Sequence, residues 1–162
     1  MTSRLLVDKI EGKSTSSHVI MPQGHVIQMQ HFIDIDSSHI ASASTSFVAT
    51  GVKVNITPKA VGNTILVQFV TTMAHKGGGT IGMGTLYIDG SQASGTGQYW
   101  GGYLNSSTHS NDHPTRVSNY IYTTVDTNNH LFEIYIKSSD SNTYYVKHGN
   151  SCISLIATEI QG

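Results

Sequence analysis

The sequence predicts an all-β protein, a single antiparallel β-sandwich of the jelly-roll type, and three observations support this prediction. Charged residues make up only 12% of the 162-residue chain and glycine occurs 16 times, a composition typical of turn-rich β proteins. Short segments alternate apolar and polar residues, which is the period of a strand, and no long window has the 3.6-residue period of a helix. Clusters of Gly, Asn, Asp and Ser separate these segments at intervals typical of a sandwich.

The first predicted strand of the domain covers residues 25–33. One face of this segment carries the apolar residues Ile27, Met29 and Ile33, and the other carries Gln28 and Gln30. Further strands are predicted at 47–56, 64–75, 84–89, 117–125, 131–137, 144–147 and 152–160.

The alternation is clearest in two of these segments. In 64–75, Ile65, Val67, Phe69 and Met73 face one way, and in 131–137, Phe132, Ile134 and Ile136 alternate with Glu133, Tyr135 and Lys137. Both patterns predict strands with one buried face. Two sheets packed together bury such faces, whereas one open sheet would leave long edges exposed, and this favours the sandwich.

The chain is predicted to comprise one domain, residues 25–162, preceded by an arm, residues 1–24. Its length fits one core of the usual size, and no internal repeat is visible. The arm has a short apolar patch formed by Leu5, Leu6, Val7 and Ile10, and then a polar, turn-prone spacer.

Composition argues against several classes of partner. Nine Lys or Arg against ten Asp or Glu give a net charge of -1, so no basic surface is expected to bind nucleic acid. No apolar run approaches the about 20 residues needed to cross a bilayer, so membrane insertion is not expected. The single cysteine, Cys152, excludes an internal disulfide, and its place in an alternating run predicts a buried thiol.

Catalytic and metal-binding patterns are weak. His109, Asp112 and His113 could offer metal ligands, but Pro114 argues against the helix that would align them, and a solvated loop is the preferred interpretation. The glycine-rich residues 76–80 match no phosphate-binding loop. Because no nucleophile motif or carboxylate pair stands out, we expect no enzyme activity, no bound metal and no cofactor.

Aromatic residues are the strongest candidates for a binding surface. Tyr99, Trp100 and Tyr103 lie in a glycine-rich segment that suits stacking on sugar rings, anchoring of an interface, or filling of the core. Tyr120 and Tyr122 lie opposite the apolar face of the 117–125 strand. Their aromatic surface predicts an oligomer interface, or alternatively a cover for the edge of the sandwich.

Three segments resemble a module that recurs in marine and cyanobacterial phage tail-fibre and virion proteins. They are residues 55–67, the run Leu86-Tyr87-Ile88-Asp89-Gly90-Ser91, and the terminal residues 153–160. Residues 6–12 and 21–28 are similar to the arm that often precedes that module. The resemblance spans nearly the whole chain, but the shaft, coiled coil or second domain of longer members is absent from this sequence.

The resemblance implies a fold like the trimeric jelly roll of tumour necrosis factor and complement C1q. It implies a homotrimer in the virion that contacts other virion proteins of the tail or capsid through the arm, with Leu5, Leu6, Val7 and Ile10 as docking residues. The leading functional expectation is a tail-fibre or adsorption component that contacts the host surface, where a glycan is a candidate ligand. The alternative is a head decoration or cement protein.

Overall fold

The computed structural model describes residues 23–36, 38–75, 81–97, 100, 102–105, 114–148 and 150–162. These residues form twelve strands, and none of them is helical. The strands are β1 (Val26–Asp34), β2 (Ile40–Ser42), β3 (Val48–Ile56), β4 (Thr64–Thr72), β5 (Ala74–His75), β6 (Ile81–Ile88), β7 (Ser91–Gln92), β8 (Gly102–Asn105), β9 (Thr115–Thr123), β10 (His130–Ser138), β11 (Tyr144–Lys147) and β12 (Ile153–Ile160). The predicted all-β class is confirmed.

The strands form two large sheets and one small one. The first sheet has the order β1-β12-β4-β9, and the second has the order β3-β10-β6-β7, with β8 also paired to β6. A third sheet, β2-β11-β5, is shorter. Every pairing is antiparallel, and the architecture is the predicted jelly-roll sandwich.

The core lies between the first and second sheets, and the two clearest alternating segments supply much of it. Ile65, Val67 and Phe69 of β4 are buried, as are Phe132, Ile134 and Ile136 of β10. Leucine and alanine side chains of β12 complete the same layer. Side chains of this size contribute about 1.5–3 kcal/mol each when removed from water, so these faces dominate the stability of the sandwich.

Two hydrogen bonds join the last strand, β12, to the first strand, β1, just beyond one end of their ladder. The amide N–H of Gly24 donates to the Gln161 carbonyl over 2.9 Å, and that of Gln161 donates to the His25 carbonyl over 3.0 Å. The C-terminal strand is therefore held inside the first sheet, between β1 and β4.

The structure differs from two expectations about β4 and β12. The predicted strand 64–75 divides at Met73, whose N–H donates to the Pro114 carbonyl over 3.1 Å instead of continuing the ladder. Cys152 was expected to be buried, and this was wrong: β12 begins at Ile153, and the thiol is exposed just before it.

Candidate functional site

The outward side chains of the first sheet form four rows that cross all four strands. Taken across β1, β12, β4 and β9, the rows are Val26, Ile160, Thr64 and Thr123; Met29, Thr158, Leu66 and Ile121; His31, Ile156, Gln68 and Asn119; and Ile33, Ser154, Val70 and Val117. We call this set of side chains the outer face. No Asp, Glu, Lys or Arg occurs among these described positions.

Several aliphatic side chains of the outer face are open to solvent. The exposed fractions are 58% for Val26, 56% for Met29, 55% for Ile33, 61% for Val117 and 68% for Ile121. These residues lie on the two edge strands, β1 and β9, and half-buried aliphatic side chains of β12 and β4 lie between them in the rows. Single exposed apolar residues are ordinary on a protein surface, whereas a contiguous patch of them marks an interaction site. The outer face therefore has the composition of an interface.

The sequence of β1 does not determine which of its two faces points outward, and its pairing with β12 does. Phe32 of β1 packs against the core, whereas its neighbour Ile33 and the nearby Met29 face outward. A bulge near Val26 and Gln28 shifts the pairing with β12 by one residue. After this shift, Gln28 faces inward and reaches Glu159, which places the apolar residues of the strand outside.

Strand β9 agrees with the alternative interpretation of its two tyrosines, as a cover for the edge of the sandwich. Tyr120 and Tyr122, for which an exposed oligomer interface was the leading expectation, are half-buried and pack against the core. The exposed residues are instead Val117 and Ile121. Because β9 lies at the edge of the first sheet, the longer tyrosine side chains cover the open side of the sandwich, and the aliphatic ones complete the outer face.

Trp100 also packs on the inner side of this edge. Its ring stacks on Phe69 with centroids 6.3 Å apart and meets Tyr120 edge to face. Its indole N–H donates to the Asn119 carbonyl over 2.9 Å, and its own carbonyl accepts a hydrogen bond from Ser118. These contacts agree with the core alternative for Trp100. A role in ligand binding stays a prediction.

A buried carboxylate, that of Glu159, lies where β12 ends beside the start of β1. Glu159 accepts hydrogen bonds from the side-chain amides of Gln28 and Asn63, both over 2.6 Å, and from the backbone N–H of Lys59 over 2.7 Å. Burial alone would raise the pKa of Glu159, but these hydrogen bonds stabilise the charged form and hold the pKa below its ordinary value. The carboxylate thereby joins β1, β12 and the turn before β4.

A buried ammonium group holds the opposite end of β1. Lys147 has no exposed side-chain surface, and its Nζ lies 2.7 Å from Asp34 Oδ1 and 2.6 Å from Asp36 Oδ1. Hydrogen bonds from Lys147 and Ser38 hold the pKa of Asp36 well below its usual range. The cluster links β11 of the third sheet to the end of β1, so the first strand is anchored at both ends.

One described cluster has the residue types of a proton relay. His130 Nδ1 lies 2.7 Å from Asp89 Oδ2, and its Nε2 lies 3.2 Å from Asp126 Oδ1 and 3.4 Å from the Tyr122 hydroxyl. Burial, together with the charges of Asp126 and Asp89, raises the pKa of Tyr122, which keeps its hydroxyl protonated. The cluster therefore offers a hydrogen-bond network around a buried histidine, with both carboxylates partly exposed, and no activated nucleophile.

Some predicted residues lie outside the described part of the chain. These are Leu5, Leu6, Val7 and Ile10 of the arm, Tyr99, the loop His109–His113 and the glycine-rich residues 76–80. Tyr103 is described only as part of β8. Among the described residues, no three His, Cys, Asp or Glu side chains are arranged to hold a metal ion. None of these residues belongs to a helix with the length and apolar character needed to cross a bilayer.

Comparison with known proteins identifies similar folds. No family model and no curated protein sequence matches the chain. A chain of the infectious bursal disease virus Gx strain aligns with a TM-score of 0.54 and 14% identity, over 97% of this chain and 37% of that one.

Two further solved structures align at lower scores. VP2 of the infectious bursal disease virus subviral particle aligns with a TM-score of 0.49 and 14% identity, over 96% of this chain and 38% of that one. The sugar-binding EclA C-terminal domain aligns with a TM-score of 0.37 and 12% identity, over 92% of this chain and 89% of that one. This chain thus spans a little over a third of the viral chains and shares the β-sandwich fold found in the Gx strain chain.

Proposed function

We propose that the protein is a non-catalytic structural component of a virus particle that assembles through its outer face. The observation that carries the proposal is the row pattern of the first sheet: sixteen outward positions, four in each row, without a carboxylate, ammonium or guanidinium group. Depletion of charge at the centre of a surface is the compositional sign of a subunit interface.

The size of the outer face agrees with this role. Strands lie about 4.8 Å apart and rise about 3.3 Å per residue, so four strands of eight or nine residues span roughly 19 Å by 28 Å. The resulting area, on the order of 500 Å² before side-chain relief is added, is comparable with the about 800 Å² per partner of standard interfaces. A second copy of the chain is the partner that we propose.

The proposed assembly is a homotrimer, as the resemblance to phage virion modules implies. A charge-free face avoids repulsion between identical copies, which supports self-association, and closed cyclic symmetry is the usual outcome. In this proposal the arm, residues 1–24, docks on the particle through Leu5, Leu6, Val7 and Ile10. The domain then acts as a tail-fibre or adsorption component that contacts the host surface.

A head decoration or cement protein is the second candidate. The fold that this chain shares with a chain of infectious bursal disease virus favours it. In that role the same arm would clamp capsid subunits. Imaging of labelled protein on particles separates the two candidates, because saturation of the capsid lattice supports decoration and density at the tail tip supports adsorption.

Light scattering of the purified chain tests the assembly. The wild type is expected at about three times the chain mass of 17.5 kDa. Ile121→Asp places a charge at the most exposed of the five aliphatic positions on the outer face and is expected to give monomers. Val61→Asp is the matched control, since Val61 is similarly exposed but lies in the loop before β4.

Three outcomes would contradict parts of the proposal. A monomeric wild type would remove the assembly role, and a stable dimer would replace the three-fold arrangement with a two-fold one. Incorporation of a chain lacking residues 1–20 into particles at the wild-type level would remove the docking role of the arm.

A further inference from the structure

The outward side of the second sheet carries a group of aromatic rings that the proposed assembly does not use. Tyr87 of β6 and Tyr135 of β10 stack with ring centroids 3.8 Å apart and an angle of 18° between the rings. Phe47, just before β3, meets Tyr87 edge to face at 6.4 Å. All three side chains are half-buried, so part of each ring is open to solvent. We call these three residues the aromatic platform.

The platform is not part of the core. Its strands direct Leu86, Ile134 and Ile136 inward, and these alternate residues are buried. In the register of β10 and β6, Tyr87 is opposite Glu133 and Tyr135 is opposite Thr85. The tyrosines therefore stand among polar side chains on the solvent side of the sheet.

Polar groups beside the platform are fixed in place. Gln92 of β7 lies opposite Tyr87, and its amide nitrogen donates to Thr85 Oγ1 over 3.1 Å and to the Gly97 carbonyl over 2.8 Å. Thr85 is in turn hydrogen-bonded to Thr96. Because these groups already have defined positions, a ligand that contacts them loses little free energy to ordering.

The charge beside the platform is positive. The ammonium of Lys137 lies over the Phe47 ring, 4.7 Å from its centroid, which is within cation–π range. Lys53 of β3 lies opposite Glu133 in the ladder, and the Glu133 carboxylate also acts on the platform, because burial and the charge of Glu133 raise the pKa of Tyr135. Two ammonium groups and one carboxylate therefore lie on this side of the sheet, and Lys137 is the cation that contacts the platform itself.

We propose that Phe47, Tyr87, Tyr135 and Lys137 form a binding site for acidic saccharides. Sugar rings present C–H groups that stack on exposed aromatic surfaces, and their hydroxyl groups hydrogen-bond to amides such as that of Gln92. The carboxylate of an acidic sugar supplies the partner for Lys137, since charge-assisted hydrogen bonds are the stronger ones. The site lies within one chain and on the sheet opposite the outer face, so it does not depend on the proposed assembly.

Titration calorimetry with trigalacturonic acid, and with uncharged maltotriose for comparison, tests the site. The wild type is expected to bind the acidic trisaccharide with a Kd of about 1 mM or below, a value ordinary for a shallow site, and to bind maltotriose at least tenfold more weakly. Tyr135→Ala is expected to weaken binding of trigalacturonic acid at least tenfold. Lys137→Met is expected to remove the preference for the acidic sugar while retaining weak binding to both.

Tyr145→Ala is the matched control, because Tyr145 is a half-buried tyrosine of β11 in the third sheet. It is expected to bind like the wild type, and thermal unfolding verifies that each variant is folded. Equal binding by the wild type and a folded Tyr135→Ala variant would overturn the proposal, as would equal affinity of the wild type for the two sugars or binding of neither. The Ile121→Asp variant is expected to retain the site, so loss of assembly and loss of sugar binding are distinguishable.

Discussion

At the scale of single residues, Glu159 illustrates how a buried charge fixes the first sheet. Its partners Gln28, Lys59 and Asn63 are 131, 100 and 96 positions away in the sequence. A buried carboxylate is tolerated only when hydrogen bonds replace its lost hydration, and here three donors do so. Local patterns carry no information on such distant partners, so the sequence indicated a strand at this position but not the network.

Replacing Glu159 with Gln is expected to destabilise the fold and to change its response to acid. The Gln amide turns a donor toward groups that are already donors, at an expected cost of about 1–3 kcal/mol at pH 7. The pKa of Glu159 is lowered on folding, so its stabilising effect is complete above the unfolded value of about 4.5 and is lost as pH falls through the folded value. The difference between wild type and variant should therefore shrink below pH 4.

Urea unfolding at pH 7, 5 and 3 measures this difference. Glu133→Gln is the control, because Glu133 lies on the outward side of the second sheet, where loss of the carboxylate should cost little. A difference between wild type and Glu159→Gln that stays constant from pH 7 to pH 3 would contradict the interpretation.

At the scale of elements, alternation predicts a strand well only when one of its faces is polar. The strands β4 and β10 were predicted with their buried faces because Gln68, Glu133 and Lys137 mark the outward side. In β9, by contrast, Tyr and Ile alternate, and both faces are apolar enough to be buried. Which of them faces inward depends on the position of the strand at the sheet edge. That position is set by the fold and is not visible in the local sequence.

Close packing between sheets adds a second constraint that alternation does not carry. Gly82 of β6 lies against the ring of Tyr144 in β11, and a Cβ at this position would come within 1.9 Å of that ring. Tyr144 is fully buried, and its hydroxyl donates to Met73 Sδ over 2.9 Å. The glycine therefore allows the third sheet to pack on the second.

Gly82→Ala is expected to lower the free energy of unfolding by about 1–3 kcal/mol or more, because the ring must leave its position. The same substitution in a Tyr144→Leu background should cost clearly less, since the clashing ring is absent. Denaturant unfolding of the wild type, the two single variants and the double variant gives the coupling free energy between the two positions. Additive effects of the two substitutions would show that contact with Tyr144 is not the reason for glycine.

At the scale of the whole molecule, the two large sheets present different exteriors. The outer face of the first sheet combines aliphatic and uncharged polar side chains without Asp, Glu, Lys or Arg, while the second sheet presents tyrosines among Lys, Glu and Gln. The core between them could be predicted from the sequence, because its residues alternate clearly. The difference between the exteriors could not, because it depends on which strands become neighbours.

If the outer face is buried between copies in solution, unfolding should depend on protein concentration. Assembly binds only the folded chain, so mass action adds stability as the concentration rises. The Tm of the wild type should therefore increase between about 1 μM and 100 μM, by the several degrees expected of one or two kcal/mol in a domain of this size. Ile121→Asp should have a lower Tm that does not change with concentration, while Val61→Asp should follow the wild type. A wild-type Tm that is constant across this range, together with a constant mass by light scattering, would contradict reversible assembly through the outer face.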